Sequence, residues 1–205
     1  MRDRDLVRLY WPADLRPAFD ALLDIDDAMA GVVVRATQPA LGAIKLAWWR
    51  ERLQELDEGK VPAEPRLQAA ATHLLPRGVS GADLSKIEQG WAVLLDEKPD
   101  WFLAEDRGEE LFRIAMQLLG TEHPLIIAAG RMVAGVDFAR RGYRKIEPTA
   151  VAMGGQRFPN SLRPLTALAA LAARDIRRGG PPFEAEATPG RAAALLAHRL
   201  FGTVA

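Results

Sequence analysis

The sequence predicts an all-α protein in which helices pack around an apolar core. Apolar side chains recur at helical spacing through nearly all of the 205 residues, and no convincing alternation of apolar and polar residues indicates a strand. The clearest apolar stripe is formed by Leu46, Trp49, Leu53 and Leu56. Trp48 widens that stripe towards a second neighbour, and charged residues fill the other side. We expect a helix buried this heavily to lie centrally in a bundle.

The ends of the first three helices follow from residues that start or stop a helix. Pro12 stops the first segment, and Gln38-Pro39 separates the second from the tryptophan helix, which Gly59 ends. Pro17 is tolerated because it falls in the opening turns of the second segment. These signals predict helices over residues 3–10, 13–36 and 39–59.

The next four segments are delimited in the same way. Pro76-Arg77-Gly78 ends a short helix, and Ser80 with Asp83 resembles a capping box that opens another. Lys98-Pro99, Gly120 and Gly142 mark later ends. The predicted helices cover residues 67–74, 80–98, 111–120 and 123–141.

The character of the chain changes after residue 142. Residues 1–142 form the predicted bundle, whereas three prolines and Gly154-Gly155 predict a long loop from Tyr143 to Pro164. Two short helices, over 162–178 and 191–201, are separated by a second loop. We expect residues 143–205 to complete or flank the same domain as a more loosely attached tail.

Composition excludes several classes of function. The 27 basic and 27 acidic residues balance, whereas nucleic-acid binding normally requires a basic excess. No cysteine is present, which excludes disulfides and thiolate chemistry, and the three histidines lack ligand spacing. The N-terminus has no apolar signal core, and the longest uncharged apolar run is too short to span a bilayer. We expect a cytoplasmic protein with at most peripheral membrane contact and no nucleic-acid partner.

The first candidate site is an acidic helix face. Asp20, Asp24 and Asp27 lie at i, i+4 and i+7, within about 60° of one another. Carboxylates arranged in this way hold Mg²⁺ while diphosphate oxygens complete its coordination. The alternative is a solvated face, because the apolar side of the same helix lies opposite. Both interpretations remain open at this point.

The second candidate site is a charged cluster near the end of the predicted helix 123–141. Asp137, Arg140 and Arg141 together suit a diphosphate, a phospholipid headgroup or an acidic partner. The alternative is that the cations complement the negative end of the helix dipole. Asp137 falls on a face with Gly130, and a partly buried carboxylate there needs a partner such as Arg140 or Arg141.

The order of the motifs resembles the squalene/phytoene synthase family. The matching features are an aromatic-rich opening helix, the Pro-Ala-x-x-Arg-Pro step at 12–17, an acidic helix, and Lys45-Leu-Ala-Trp-Trp-Arg50. Weaker matches at 87–91 and 111–120 extend the likeness over roughly the first 142 residues. The resemblance implies an all-α bundle of isoprenoid-synthase type, here shortened at the C-terminus.

Active members of that family join two prenyl diphosphates head to head, through two Asp-x-x-x-Asp motifs that bind Mg²⁺ across a central cavity. By the resemblance, the first motif should fall at 30–34, where this chain reads Ala-Gly-Val-Val-Val. The second should fall at 133–141, where only Asp137 remains. Asp20, Asp24 and Asp27 lie about a turn or two too early.

We therefore expect a pseudoenzyme similar to the non-catalytic homologues of a mitochondrial complex I assembly factor. It would bind a prenyl or lipid ligand, or act as an assembly factor with a protein partner or as a homodimer. The alternative is an active prenyltransferase of terpenoid biosynthesis using farnesyl or geranylgeranyl diphosphate. Asp20, Asp24 and Asp27 would then hold Mg²⁺, and Arg140 or Arg141 the diphosphate.

Overall fold

The computed structural model describes residues 1–146 and 155–204, and these are mostly helical, which confirms the predicted all-α class. The α-helices of the described residues are α1 (Asp3–Arg8), α2 (Arg16–Arg35), α3 (Pro39–Leu56), α4 (Pro65–His73), α5 (Gly81–Ser85), α6 (Ile87–Ala92), α7 (Trp101–Leu118), α8 (Ile126–Arg140), α9 (Arg163–Arg177) and α10 (Pro189–Phe201). Short 3₁₀ turns cover Leu75–Arg77 and Val93–Leu95. None of these helices is long and apolar enough to cross a membrane.

Most helix ends fall close to the residues that predict them. Pro17 and Pro39 lie in the first turns of α2 and α3, and Gly142 follows α8 with a φ of +81°. The start of α7 differs from the prediction, because the helix begins well before residue 111. The Asp100 carboxylate accepts hydrogen bonds from the backbone N–H groups of Phe102 and Leu103 and so caps the helix earlier.

The tryptophan helix α3 buries the predicted stripe, including Leu46, Trp49 and Leu53, but it does not lie centrally. Ile44 is 66% exposed and Trp48 is 40% exposed, with the Trp48 ring edge-on to Trp49. The expected central position is therefore wrong. One face of α3 packs on the bundle, and the face that was expected to meet a second neighbour is open.

Two glycines allow α7 and α8 to cross closely in the protein core. Gly108 on α7 and Gly130 on α8 face each other so closely that a Cβ added at Gly108 would lie 2.1 Å from the Gly130 carbonyl oxygen. A real Cβ cannot approach an oxygen to that distance without displacing the backbone. The crossing brings α7 and α8 together along one wall of the cavity described below.

The C-terminal part is not a loose tail. Helix α9 is buried on nearly all sides and packs against α8, α10 and α1, so it completes the bundle. The Ala/Leu-rich sequence allows this, because small side chains permit close approach from several directions. Two short strands, β1 (Gln156–Arg157) and β2 (Thr203–Val204), pair as an antiparallel ribbon. The sequence did not predict this ribbon. Residues 147–154 of the predicted Tyr143–Pro164 loop lie outside the described residues.

Candidate ligand-binding cavity

A cavity of about 220 Å³ lies between α1, α2, α7, α8 and α9. One part of its wall is apolar and is lined by Phe19, Leu22, Leu111, Phe112, Leu165 and Leu168, among others. The other part is charged and reaches solvent, because the side chain of Arg2 in this wall is 52% exposed. An apolar interior with a polar mouth is typical of sites for amphipathic small molecules.

The charged wall is organised around Arg107 of α7, which is only 3% exposed. Its guanidinium donates to Asp26 of α2 at 2.7 Å and to Asp137 of α8 at 2.8 Å. The guanidinium carbon also lies 4.2 Å from the centre of the Trp91 ring and 4.7 Å from that of Phe138. A single buried cation therefore bridges carboxylates on two different helices.

The two carboxylates respond differently to burial. Burial raises the pKa of Asp26, and the nearby Asp137 charge adds to this, although Arg107 and a 2.8 Å hydrogen bond from Trp91 Nε1 favour ionisation. Burial also opposes ionisation of Asp137, but Arg107 and Arg141 outweigh it and lower its pKa. Burial by itself would lower the pKa of Arg107, yet the two aspartates raise it, so Arg107 keeps its positive charge.

Helix α1 covers the acidic face of α2. Arg8 donates to Asp20 at 2.6 Å, Arg4 to Asp24 at 2.5 Å, and both Arg2 and Arg4 to Asp27 at 2.8 Å. The three carboxylates therefore do not converge on one point, and each is held by an arginine. Within residues 1–146 and 155–204, no group of three or more acidic or histidine side chains is arranged to hold a metal ion. The acidic face is partly exposed to solvent, and the arginines that pair with it neutralise its charge.

A second ion-pair chain closes the other side of the mouth. Arg140 of α8 donates to Asp175 of α9 at 2.7 Å, and Asp175 also accepts from Arg191 of α10 at 2.6 Å. Arg191 in turn lies 2.7 Å from Asp3 of α1, and both Asp175 and Arg191 are buried. The chain ties the C-terminal helices to the N-terminal one, which is a further reason why residues 163–201 are integral to the bundle.

The residues of the second sequence-predicted cluster come together at this mouth. Asp137, Arg140 and Arg141 all line the cavity, and Arg141 donates to Asp137 at 2.9 Å and lies 3.8 Å from Asp27. Of the three predicted metal ligands, only Asp27 lines the cavity. The valines expected in the place of metal ligands also lie elsewhere, because α2 faces the cavity with residues 19–27 rather than 30–34.

Sequence reasoning missed the buried role of Asp26 and Arg107. Asp26 lies four residues after Leu22 and three before Met29, in the middle of the apolar face of α2. Arg107 occupies the same kind of position on α7, four residues before the buried Leu111. A charged residue inside an apolar stripe must find a buried partner, and that signal was available in the sequence.

Positive and negative charges balance around the cavity. Six arginines and six carboxylates line it, namely Arg2, Arg4, Arg107, Arg140, Arg141 and Arg191 with Asp3, Asp26, Asp27, Asp137, Asp175 and Glu186. Most of these groups are paired with one another at hydrogen-bonding distance. The wall therefore has no excess negative charge to bind a divalent cation and no excess positive charge to bind a free diphosphate.

No protein-family model, curated protein or solved structure matches this chain.

Proposed function

We propose that this protein is a non-catalytic relative of the squalene/phytoene synthases that binds the apolar end of a prenyl or other lipid chain in its cavity. The observation that carries the proposal is the Arg107 bridge between Asp26 and Asp137. In the family, by resemblance, carboxylates on facing helices hold Mg²⁺ across a central cavity. Here the guanidinium of Arg107 binds the carboxylates of Asp26 and Asp137, which lie on two different helices.

The fixed cation argues against transferase chemistry. Departure of a diphosphate requires metal ions that neutralise the developing charge, and these ions need free carboxylate oxygens. Asp26 and Asp137 are engaged by Arg107, and Asp27 by Arg2 and Arg4. Freeing a buried carboxylate from its arginine costs about 3–5 kcal/mol, which metal binding would have to offset.

The size of the cavity limits the ligand. A cavity of about 150 Å³ holds one benzene molecule, so by proportion about 220 Å³ holds roughly nine non-hydrogen atoms. That is fewer than one farnesyl chain contains, and a head-to-head condensation needs two such chains. The volume therefore favours a ligand whose apolar end enters the cavity while the remainder leaves through the charged mouth.

One donor in the wall favours a ligand with a polar group. The Nε atom of Arg107 is buried and has no hydrogen-bond partner among the described residues. A hydroxyl or phosphate oxygen of a ligand would satisfy this donor after a small shift of the side chains that cover it, and the desolvation of the donor otherwise costs about 1–3 kcal/mol. We therefore expect prenyl alcohols to bind more tightly than hydrocarbons of the same length.

Thermal unfolding with added ligand tests the proposal. Farnesol is expected to raise the melting temperature, whereas Mg²⁺ alone is not. Leu168→Phe fills the cavity and should abolish the farnesol shift, whereas Leu103→Phe is the control because Leu103 is partly buried outside the cavity wall. A farnesol shift that is equal in both variants would refute binding in this cavity.

The same experiment separates the alternatives. An active prenyltransferase should show a shift with farnesyl diphosphate only when Mg²⁺ is present, and should form product from it. Product formation that Asp24→Asn abolishes would overturn the proposal. An assembly factor that uses an outer helical face needs no ligand, and predicts no shift with farnesol or with diphosphate.

A further inference from the structure

The last helix carries an apolar stripe that no other described segment covers. Leu196 is 54% exposed, Leu200 is 60% exposed and Phe201 is 61% exposed. Together with the exposed Ala193 and Ala197, they fall within an arc of about 140° on α10. The opposite side of the helix is buried in the bundle. Three large apolar side chains so exposed on one face indicate a surface that meets a partner.

Three arginines gather at the C-terminal end of this stripe. Arg157 Nε donates to the Phe201 carbonyl at 2.9 Å, and Arg163 Nη1 donates to the Arg199 and Leu200 carbonyls at 2.8 and 3.0 Å. The third, Arg199, projects its guanidinium carbon 4.9 Å from the ring centre of Tyr10. These hydrogen bonds satisfy the last carbonyl groups of α10, but a carbonyl oxygen does not neutralise the charge of an arginine.

Within the described residues, Arg157, Arg163 and Arg199 form no salt bridge, in contrast to the paired arginines of the cavity. Helix α10 contains no acidic residue, and neither does the ribbon beside it. The surface therefore combines an exposed apolar stripe with three cations, and neither α10 nor the ribbon carries an acidic residue.

We propose that this α10 surface docks on an anionic lipid bilayer. The helix is about 20 Å long and would lie parallel to the bilayer, with Leu196, Leu200 and Phe201 among the upper acyl chains. The arginines would meet lipid phosphates, which are the anions that the protein side lacks. A second copy of this chain is a poorer partner, because its α10 offers the same arginines and no carboxylate. The proposal is independent of what the cavity binds.

Co-sedimentation with vesicles tests this surface. The protein is expected to bind phosphatidylcholine vesicles that contain phosphatidylserine, and to bind them more weakly as salt increases. The Leu200→Ser/Phe201→Ser variant should lower the partition coefficient roughly tenfold or more, because two exposed apolar side chains no longer enter the bilayer. Arg157→Gln/Arg199→Gln should weaken binding to anionic vesicles while leaving binding to pure phosphatidylcholine unchanged.

A matched control uses the exposed face of α3. Leu41 is 49% exposed and Ile44 is 66% exposed, so Leu41→Ser/Ile44→Ser removes a similar apolar area elsewhere. This control is expected to bind vesicles like the unaltered protein. All of these positions are exposed, and unchanged melting temperatures will verify that the variants fold.

Three outcomes would overturn the proposal. The first is that the unaltered protein does not bind phosphatidylserine vesicles. The second is that the α3 control loses binding while the α10 variant keeps it. The third is that the unaltered protein binds no vesicles and is a dimer by light scattering, whereas Leu200→Ser/Phe201→Ser is a monomer. That last result would assign the surface to a second copy of the chain.

Discussion

Replacing Arg107 with methionine tests the feature that defines the cavity wall. Methionine keeps much of the length and apolar contact of the arginine stem but removes the charge and the donors. The substitution leaves Asp26 and Asp137 without the buried cation that they share, at 2.7 and 2.8 Å in the native protein. Trp91 also loses the guanidinium that lies over its ring.

The magnitude follows from the burial of the bridge. Arg107 is 3% exposed, and breaking a buried ion pair by removing one partner typically costs about 3–5 kcal/mol. We expect a loss of about 4 kcal/mol in the free energy of unfolding, which is large against typical domain stabilities of about 5–15 kcal/mol. Arg8→Met is the control, because Arg8 and Asp20 are 38% and 33% exposed, and we expect it to cost less than about 1 kcal/mol.

The assay is urea unfolding at several pH values. Burial already holds the pKa of Asp26 above its ordinary value, and removal of Arg107 should raise it further. A carboxyl group whose folded-state pKa is raised destabilises the fold when ionised, so the deficit of Arg107→Met is full at neutral pH and shrinks as pH falls towards the unfolded pKa. Asp26→Asn in the same background should recover part of the loss at pH 7.

Two results would refute this reasoning. One is a loss for Arg107→Met no larger than that for Arg8→Met. The other is a deficit that stays constant with pH and is unaffected by Asp26→Asn, since the cost would then come from packing rather than from an unpaired buried charge. If Arg107→Met is too unstable to measure, the Arg107→Met/Asp26→Asn variant still reports the pH dependence that remains from Asp137.

Two further predictions concern other parts of the fold. Gly108→Ala should cost about 3 kcal/mol or more, because its Cβ would meet the Gly130 carbonyl oxygen. Gly135→Ala meets only the flexible Glu105 side chain and should change stability by less than about 1 kcal/mol; equal losses in urea unfolding would contradict the close crossing. Despite partial burial, hydrogen bonds and nearby cations lower the pKa of Asp83 from 3.8 to about 2, so its stabilisation is present above pH 3.8 and lost as pH falls through about 2. After allowance for solvent screening, Asp83→Asn should cost about 1 kcal/mol at pH 7 and only a small fraction of that at pH 2, and a cost at pH 2 equal to that at pH 7 would refute the electrostatic origin.

Much of the helical framework was accessible from the sequence, because helix signals are local. Proline and glycine positions located most helix ends, and the stripe through Leu46, Trp49 and Leu53 identified the buried face of α3. The open second face of α3 was not accessible, because a stripe shows which side is apolar but not whether a neighbour arrives to cover it. The early start of α7 does have a local signal, the N-cap residue Asp100.

The site was accessible only in part. The sequence placed charged residues at 20–27 and 137–141 and offered Arg140 or Arg141 as a neighbouring partner for Asp137, but it could not assign the partners that are distant along the chain. Arg107 and Asp26 are 81 residues apart, and Arg191 and Asp3 are 188 apart. No periodicity links residues at such separations.

By itself, the sequence determined that the chain is helical, where most helices begin and end, and which residues face inwards, because these properties depend on neighbours within a turn or two. Tertiary structure alone decided that arginines pair with the acidic face of α2, and that Asp26 and Asp137 share one cation. The reason is that two charged side chains form an ion pair only when their charged atoms lie within about 3 Å of each other. For side chains on different helices, only the packing of the whole chain sets that distance.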